Sequence, residues 1–267
     1  MSDNFLHDPK RPVTLYTWVM SPFAMKVHAF LLFKRINFRC FYVNPLKRHS
    51  QIPVGDQIPV VAIGNECRAD STPIGLWIEE AFPEQPQLLP TDSAEREKVL
   101  AINDWVTDRL IPIVFRIPQE PGFNVSRISN GWKLSHVMAQ TAHGGLPKLV
   151  EWAWPWILAT QPFLKNELAK ADPHLSLAEV KAKLHSEFVA KLEQGPFFGG
   201  RSQPSMADVA AYPQFLLPFM VGMDDADYFL DFPEVVSWLK AMEPFMRGSP
   251  PLLPDVVQKR TLDWLRI

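Results

Sequence analysis

Cysteine is scarce in this chain: Cys40 and Cys67 are the only two among 267 residues. Two cysteines cannot build a disulfide framework, and nothing around them has metal-ligand spacing, so a reducing compartment is expected and no metal. A surplus of charge of one sign is missing too. Lys+Arg number 27 and Asp+Glu 29, a formal net charge of −2, which argues against a general basic surface for nucleic acid. Long apolar runs are also missing. The stretch 149–159 contains Glu151, and 212–223 is broken by Pro213, Gln214 and Pro218; neither offers the roughly 20 apolar residues of a membrane span. Residues 1–12 are polar and charged, with no apolar segment of the secretory kind. A cytoplasmic protein without membrane or nucleic-acid partners is the expectation.

Apolar residues make up 47% and charged residues 21%, ordinary globular usage that excludes general disorder. The length suggests a little under two domains of roughly 150 residues. Proline is plentiful, with 26 residues, but it is dispersed through apolar sequence. It therefore reads as helix starts, kinks and turns rather than as a linker.

The first ninety residues and the remainder differ in pattern. Residues 13–16 and 38–43 read as strands flanking a helix over 23–34, a strand–helix–strand unit that favours parallel pairing. Residues 44–55 form a polar connection. Strands at 58–63 and 66–68 follow, joined by Gly64-Asn65, then a helix over 72–82 with proline in its first turn. Residues 84–91 read as an inter-domain linker. Beyond them the pattern is helical throughout, with candidates at 94–110, 146–158, 176–192, 206–220 and 233–246. The expected fold is a two-domain α/β plus all-α protein with domains at 1–86 and 92–267.

Four local motifs carry chemistry or architecture. Ser21-Pro22-Phe23 ends the loop after the first strand and opens the first helix, where a serine before proline is an ordinary N-cap. Tyr16 and Thr17 supply other hydroxyls a few residues upstream. Gln57-Ile58-Pro59-Val60 places proline at the front of a buried-looking strand, where it removes a ladder donor. Asp70-Ser71-Thr72-Pro73 opens the third helix and is suited either to capping or to holding a ligand's charged end. Finally, Phe197-Phe198-Gly199-Gly200 precedes Ser205-x-x-Asp208, a capping-box variant that starts an apolar helix.

In this order and register the motifs resemble the cytosolic glutathione transferase superfamily, with Ser-Pro-Phe as in tau-like classes and in omega-like ones that carry cysteine in place of serine. The resemblance implies a thioredoxin-like βαβ-ββα domain followed by a helical bundle, usually dimeric. It implies glutathione as co-substrate and a small-molecule electrophile. Ser21 would donate a hydrogen bond to the glutathione thiolate. Gln57, Ile58 and Pro59, with a cis-proline bond, would pair with the cysteinyl backbone, and Asp70 and Ser71 would hold the γ-glutamyl end. Gln57 replaces a lysine frequent in such proteins, so Lys47 or His49 would supply the cation for the glycyl carboxylate. Trp105, Arg109 and Arg116 are electrophile-pocket candidates by position, and Trp152, Trp154, Trp156 and Phe163 by their aromatic character. Two rival readings remain: a glutathione-dependent reductase or lyase on the same fold, and a non-catalytic binding or assembly protein that kept the fold.

Overall fold

The computed structural model describes residues 5–119 and 125–266; the first residues and the last residue of the two expected domains lie outside it. The chain begins with β1 (Val13–Thr17), α1 (Pro22–Phe33), β2 (Phe38–Tyr42), the single-turn α2 (Arg48–Gln51), β3 (Val60–Ile63), β4 (Glu66–Ala69) and α3 (Ser71–Ala81). The sheet order is β2-β1-β3-β4. β1 runs parallel to β2, with Leu15 opposite Cys40, and antiparallel to β3, with Leu15 opposite Val61. The β3–β4 turn uses Gly64 at φ +60°, a conformation that glycine adopts without a Cβ penalty. This is the thioredoxin-like arrangement.

Every residue of α1 except Phe23 is buried. A helix buried on all sides needs cover on all sides. Here α3 and the sheet lie along it on one side and a helix from the second half of the chain on the other. Two lysines are enclosed with it. Lys34 Nζ lies 2.6 Å from Glu79 Oε2. The same carboxylate accepts bonds from Leu88 N at 3.1 Å and Leu89 N at 3.2 Å, so the segment leaving α3 is fastened down rather than free. Lys26 Nζ donates to Thr72 Oγ1 at 2.9 Å and to Thr107 Oγ1 at 2.8 Å. Burial brings its pKa down from 10.5 to about 8, opposed by the nearby Asp104, Asp70 and Asp108.

The helical half comprises α4 (Ser93–Trp105), α5 (Ile111–Arg116), α6 (Val125–Thr141), α7 (Lys148–Thr160), α8 (Pro162–Lys170), α9 (Leu177–Leu192), α10 (Met206–Met220) and α11 (Pro233–Met242). The helix expected over 94–110 is in fact two, joined by a π-turn at Val106–Leu110. Pro112 lacks the N–H that would bond one turn back, so the ladder there is rearranged. The helix expected to 246 stops at Met242 and tightens into a 3₁₀ turn at Glu243–Phe245, where Pro244 sits. Sequence reading missed α6, α8 and the short α2.

α10 starts with a complete capping box. Asp208 Oδ2 accepts from Ser205 N at 2.9 Å and from its hydroxyl at 3.0 Å, while Oδ1 accepts from Phe198 N and Trp238 Nε1, each at 2.9 Å. All four bonds are buried, and they fix α10 against the Phe197–Gly200 segment and α11. Gln214 Nε2 of α10 then reaches Pro22 O in the first turn of α1 at 3.2 Å.

The buried Lys26 sets a pH test. Between pH 8 and 10.5 the unfolded chain holds a proton that the folded chain has released, so this group makes stability rise with pH across that window. Lys26→Met removes the rise. The unfolding free energy of the variant minus that of the parent should fall by on the order of 3 kcal/mol as the pH climbs through that window. Parallel urea titrations at several pH values measure it; a constant difference would mean that burial does not lower the Lys26 pKa.

Candidate functional site

A cavity of about 780 Å³ opens between the loops at one end of the sheet and the helical half. One wall comes from the first ninety residues: Trp18, Ser21, Arg48, Gln57, Ile58, Pro59 and Asp70. The opposite wall is mostly apolar and comes from α5, α7, α8 and α10, with Phe115, Trp154, Phe163 and Leu217 among its residues.

Ser21 is the N-cap of α1, and its Oγ accepts from Ala24 N at 3.4 Å. Capping uses a lone pair and leaves the hydroxyl proton to donate. The structural and chemical roles proposed for this residue are therefore compatible. The rival hydroxyls lie elsewhere: Tyr16 packs on Phe41 with ring centroids 5.4 Å apart, and Thr17 donates to Trp18 O. The Ile58–Pro59 bond is cis. Asp70 is exposed at φ +73°, ψ +134°, and makes no side-chain cap bond to α3. A non-glycine residue in that region is strained by about 1–3 kcal/mol.

Several of the expected site residues lie away from the cavity lining. Ser71 does not line the cavity; it is buried in the first turn of α3. Neither Lys47 nor His49 lines it, whereas Arg48 between them does, and its buried Nε has no hydrogen-bond partner. Sequence reading missed Arg48. Trp105, Arg109 and Arg116 do not line the cavity either. Trp105 Nε1 donates to Glu187 at 2.8 Å, and Arg109 pairs with Glu187 and Asp172. The Arg109 hydrogen bond, working against desolvation and helped by Lys183, holds the Asp172 carboxyl at about 2. Arg116 donates to Ala171 O at 2.7 Å and to the carbonyls of Asp172 and Leu175. These side chains join α4 and α5 to α8 and α9. Of the aromatic candidates, Trp154 and Phe163 line the cavity, whereas Trp152 and Trp156 are exposed.

Neither cysteine lines the cavity. Burial pushes the Cys40 thiol up to about 12 despite a hydrogen bond with Tyr42. His28 is fully enclosed, bonds Pro250 O at 3.0 Å and is driven down to about 4 by burial. Among the described residues no cluster of three or more His, Cys, Asp or Glu has metal-binding geometry, and no helix is long and apolar enough to cross a membrane.

Comparison with known proteins agrees with this fold. Residues 15–86 match the family described as glutathione S-transferase, N-terminal domain. The whole chain has the cytosolic glutathione transferase fold. A tau-class glutathione transferase from mango, Mangifera indica, superposes with a TM-score of 0.53 at 18% identity over 95% of each chain. A beta-etherase from Sphingobium sp. strain SYK-6 gives 0.56 at 20% identity over 88% of this chain and 96% of its own. An omega transferase from Trametes versicolor gives 0.56 at 19% identity over 89% and 84%. Among curated proteins, prostaglandin E synthase 2 of Danio rerio is 20% identical over 281 residues, 88% of this chain and 71% of that protein.

The strained Asp70 gives a stability test of the transferase-like site. Asp70→Gly should raise the unfolding free energy by about 1 kcal/mol, since glycine adopts this backbone freely. Denaturant unfolding reads it. Lower stability in the variant would show that contacts of the carboxylate, not its backbone strain, dominate at this position.

Proposed function

We propose that this chain binds glutathione and ionises its thiol for attack on an apolar electrophile. The observation carrying this reading is that Ser21, Arg48, Ile58–Pro59 and Asp70 share one cavity whose far wall is mostly apolar. Glutathione would lie along the first wall. Its cysteinyl backbone would pair with Ile58 beside Gln57 and Pro59, its ammonium would face Asp70, and its γ-glutamyl carboxylate would face the free N–H groups at the start of α3, behind which Ser71 stands. Its glycyl carboxylate would meet Arg48, whose unpartnered Nε supports the assignment.

A thiol of ordinary pKa about 8.5 is mostly protonated at neutral pH, and only its anion is a good nucleophile. The Ser21 hydroxyl and the positive end of α1 both favour the anion. Lowering the thiol pKa by about two units requires about 2.7 kcal/mol of differential stabilisation, within reach of one charge-assisted hydrogen bond and a helix terminus. Holding the electrophile against the opposite wall supplies proximity. The sulfur lone pair then forms the bond to carbon as the leaving group departs with its electrons, or as a proton enters at the adjoining atom. In this proposal glutathione is a co-substrate, domains 1–86 and 92–267 divide the two binding tasks, and the protein is a cytoplasmic homodimer as its relatives' superfamily suggests.

The reductase reading is less well supported. Disulfide exchange needs a reactive thiolate, and the structure offers serine at the helix start and a Cys40 thiol whose pKa is raised. A binding protein that kept the fold makes the opposite prediction for turnover.

Titration of the purified chain with glutathione, followed by heat and by the ultraviolet thiolate band across pH, tests the proposal. Saturable binding with thiolate visible near neutrality is expected. In Ser21→Ala binding should persist while turnover at neutral pH falls by up to about twentyfold, as the thiol returns toward its ordinary pKa. No binding at millimolar glutathione would favour the non-catalytic reading, and unchanged turnover in the variant would remove Ser21 from the mechanism.

A further inference from the structure

The helix pair α6 and α7 is apolar on two sides. Its inner side supplies Leu134, Met138, Trp154 and Ile157 to the cavity. Its outer side carries Val125, Trp132, Leu149, Trp152 and Trp156, which are between 43% and 75% exposed. These five share one face. Val125 precedes Trp132 by two helical turns, and Leu149, Trp152 and Trp156 follow the i, i+3, i+7 spacing of a single stripe. The three tryptophans form one cluster. The Trp156 ring centroid lies 5.2 Å from that of Trp152 and 6.2 Å from that of Trp132, and Trp132 Nε1 donates to Trp152 O at 2.9 Å across the two helices. A surface helix ordinarily turns its polar side to water; a contiguous apolar face left there marks a contact surface.

Charge indicates what the face meets. Glu151 is the only acidic residue of α6 and α7, and it is already held by Lys148 Nζ at 2.9 Å and His136 Nδ1 at 3.2 Å. The Lys148 side chain, at the end of the stripe, is 91% exposed. Residues 125–170 hold five Lys or Arg against two Glu, although the whole chain carries a net charge of −2. A second copy seated on this face would set cation against cation. A folded partner would need a groove matched to a ridge of helix. A fluid interface needs no groove, accepts tryptophan at the level of its headgroups and attracts lysine when its lipids are anionic. We propose that the outer face of α6 and α7 docks on the surface of an anionic lipid bilayer, with Trp132, Trp152 and Trp156 among the headgroups and Lys148 beside their phosphates. The expectation of no membrane partner came from the lack of a span, which surface docking does not require. On the proposed function, docking would bring the cavity to where apolar electrophiles dissolve, but the docking face does not depend on that reading.

The test is flotation of the full chain, without glutathione, with vesicles of phosphatidylcholine alone and of phosphatidylcholine containing about one third phosphatidylserine. Affinity for the anionic vesicles should exceed that for the neutral ones about tenfold or more, and should fall as salt is added. The double variant Trp152→Ser, Trp156→Ser should lose at least about tenfold in affinity for the anionic vesicles, and Lys148→Ala about fivefold. Leu149→Ser probes the same face should the double variant fail to fold. Val189→Ser, an exposed apolar position on α9, should bind as the parent does. Equal affinity for the two vesicles, binding to neither, or parental affinity in the tryptophan, leucine and lysine variants would overturn the proposal. So would a dimer in solution that the tryptophan variant dissolves, which assigns the face to a second copy. Retention on immobilised polyglutamate without vesicle binding would overturn it as well, and assign the face to an acidic protein. Because glutathione is absent throughout, failure here leaves the proposed function standing, and failure of the glutathione titration leaves this docking face standing.

Discussion

The burial of α1 on every side is the constraint from which the rest of the architecture follows. A helix with no solvent face cannot be stable in the sheet domain alone, because its outer surface would be left as an apolar patch. α10, itself buried along nearly its whole length, covers that surface. The two halves of the chain are therefore held by shared core rather than by a surface contact. The bond from Gln214 to Pro22 O lies at the point where α1 begins, so it also fixes where the helix N-terminus, and Ser21 with it, faces the cavity. The thiolate-binding role proposed for Ser21 gains from its being placed by a helix that cannot move independently.

The prolines shape the other wall. Pro213 and Pro218 lie inside α10 and both line the cavity. Each removes a backbone donor and crowds the preceding turn, so the helix meets the cavity with an irregular, apolar face. Pro155 lies inside α7 against Gly131 of α6, where an added Cβ would come within 2.8 Å of the proline ring. Only glycine lets those helices approach this closely. These features make the helical wall specific in shape without adding charge, which suits a chamber for an apolar reactant.

What the sequence disclosed was local. Ser21-Pro22 and Ser205-x-x-Asp208 are helix starts whose side chains act on backbone within a turn, so spacing along the chain reports them. The strand–helix–strand unit and the β3–β4 hairpin were legible for the same reason. What it hid depended on helix phase and on distant partners. Trp105 and Arg109 share a face, but that face meets Glu187 on α9. The π-turn before Pro112 then shifts the phase by one residue, about 100°, and leaves Val114 and Phe115 on the cavity. No reading of periodicity through 94–110 could locate that shift. Arg48 was hidden because a single-turn helix has no periodicity to detect. α6 was hidden because Trp132 stands out to solvent, where an amphipathic pattern would place a polar residue.

The two walls consequently answer to different physics. The sheet-side wall is built from caps, a proline-led strand and a strained helix start, all fixed by backbone geometry, and it presents groups suited to one charged peptide. Much of the helical wall is built from side chains on α5, α6, α7 and α8. Substitution there changes volume and a few polar atoms without disturbing α1. A fold divided in this way can keep one nucleophile while altering the electrophile it meets. On the proposed function, the acceptor's shape is therefore set by the aromatic and proline side chains of this wall, independently of the groups that hold the nucleophile.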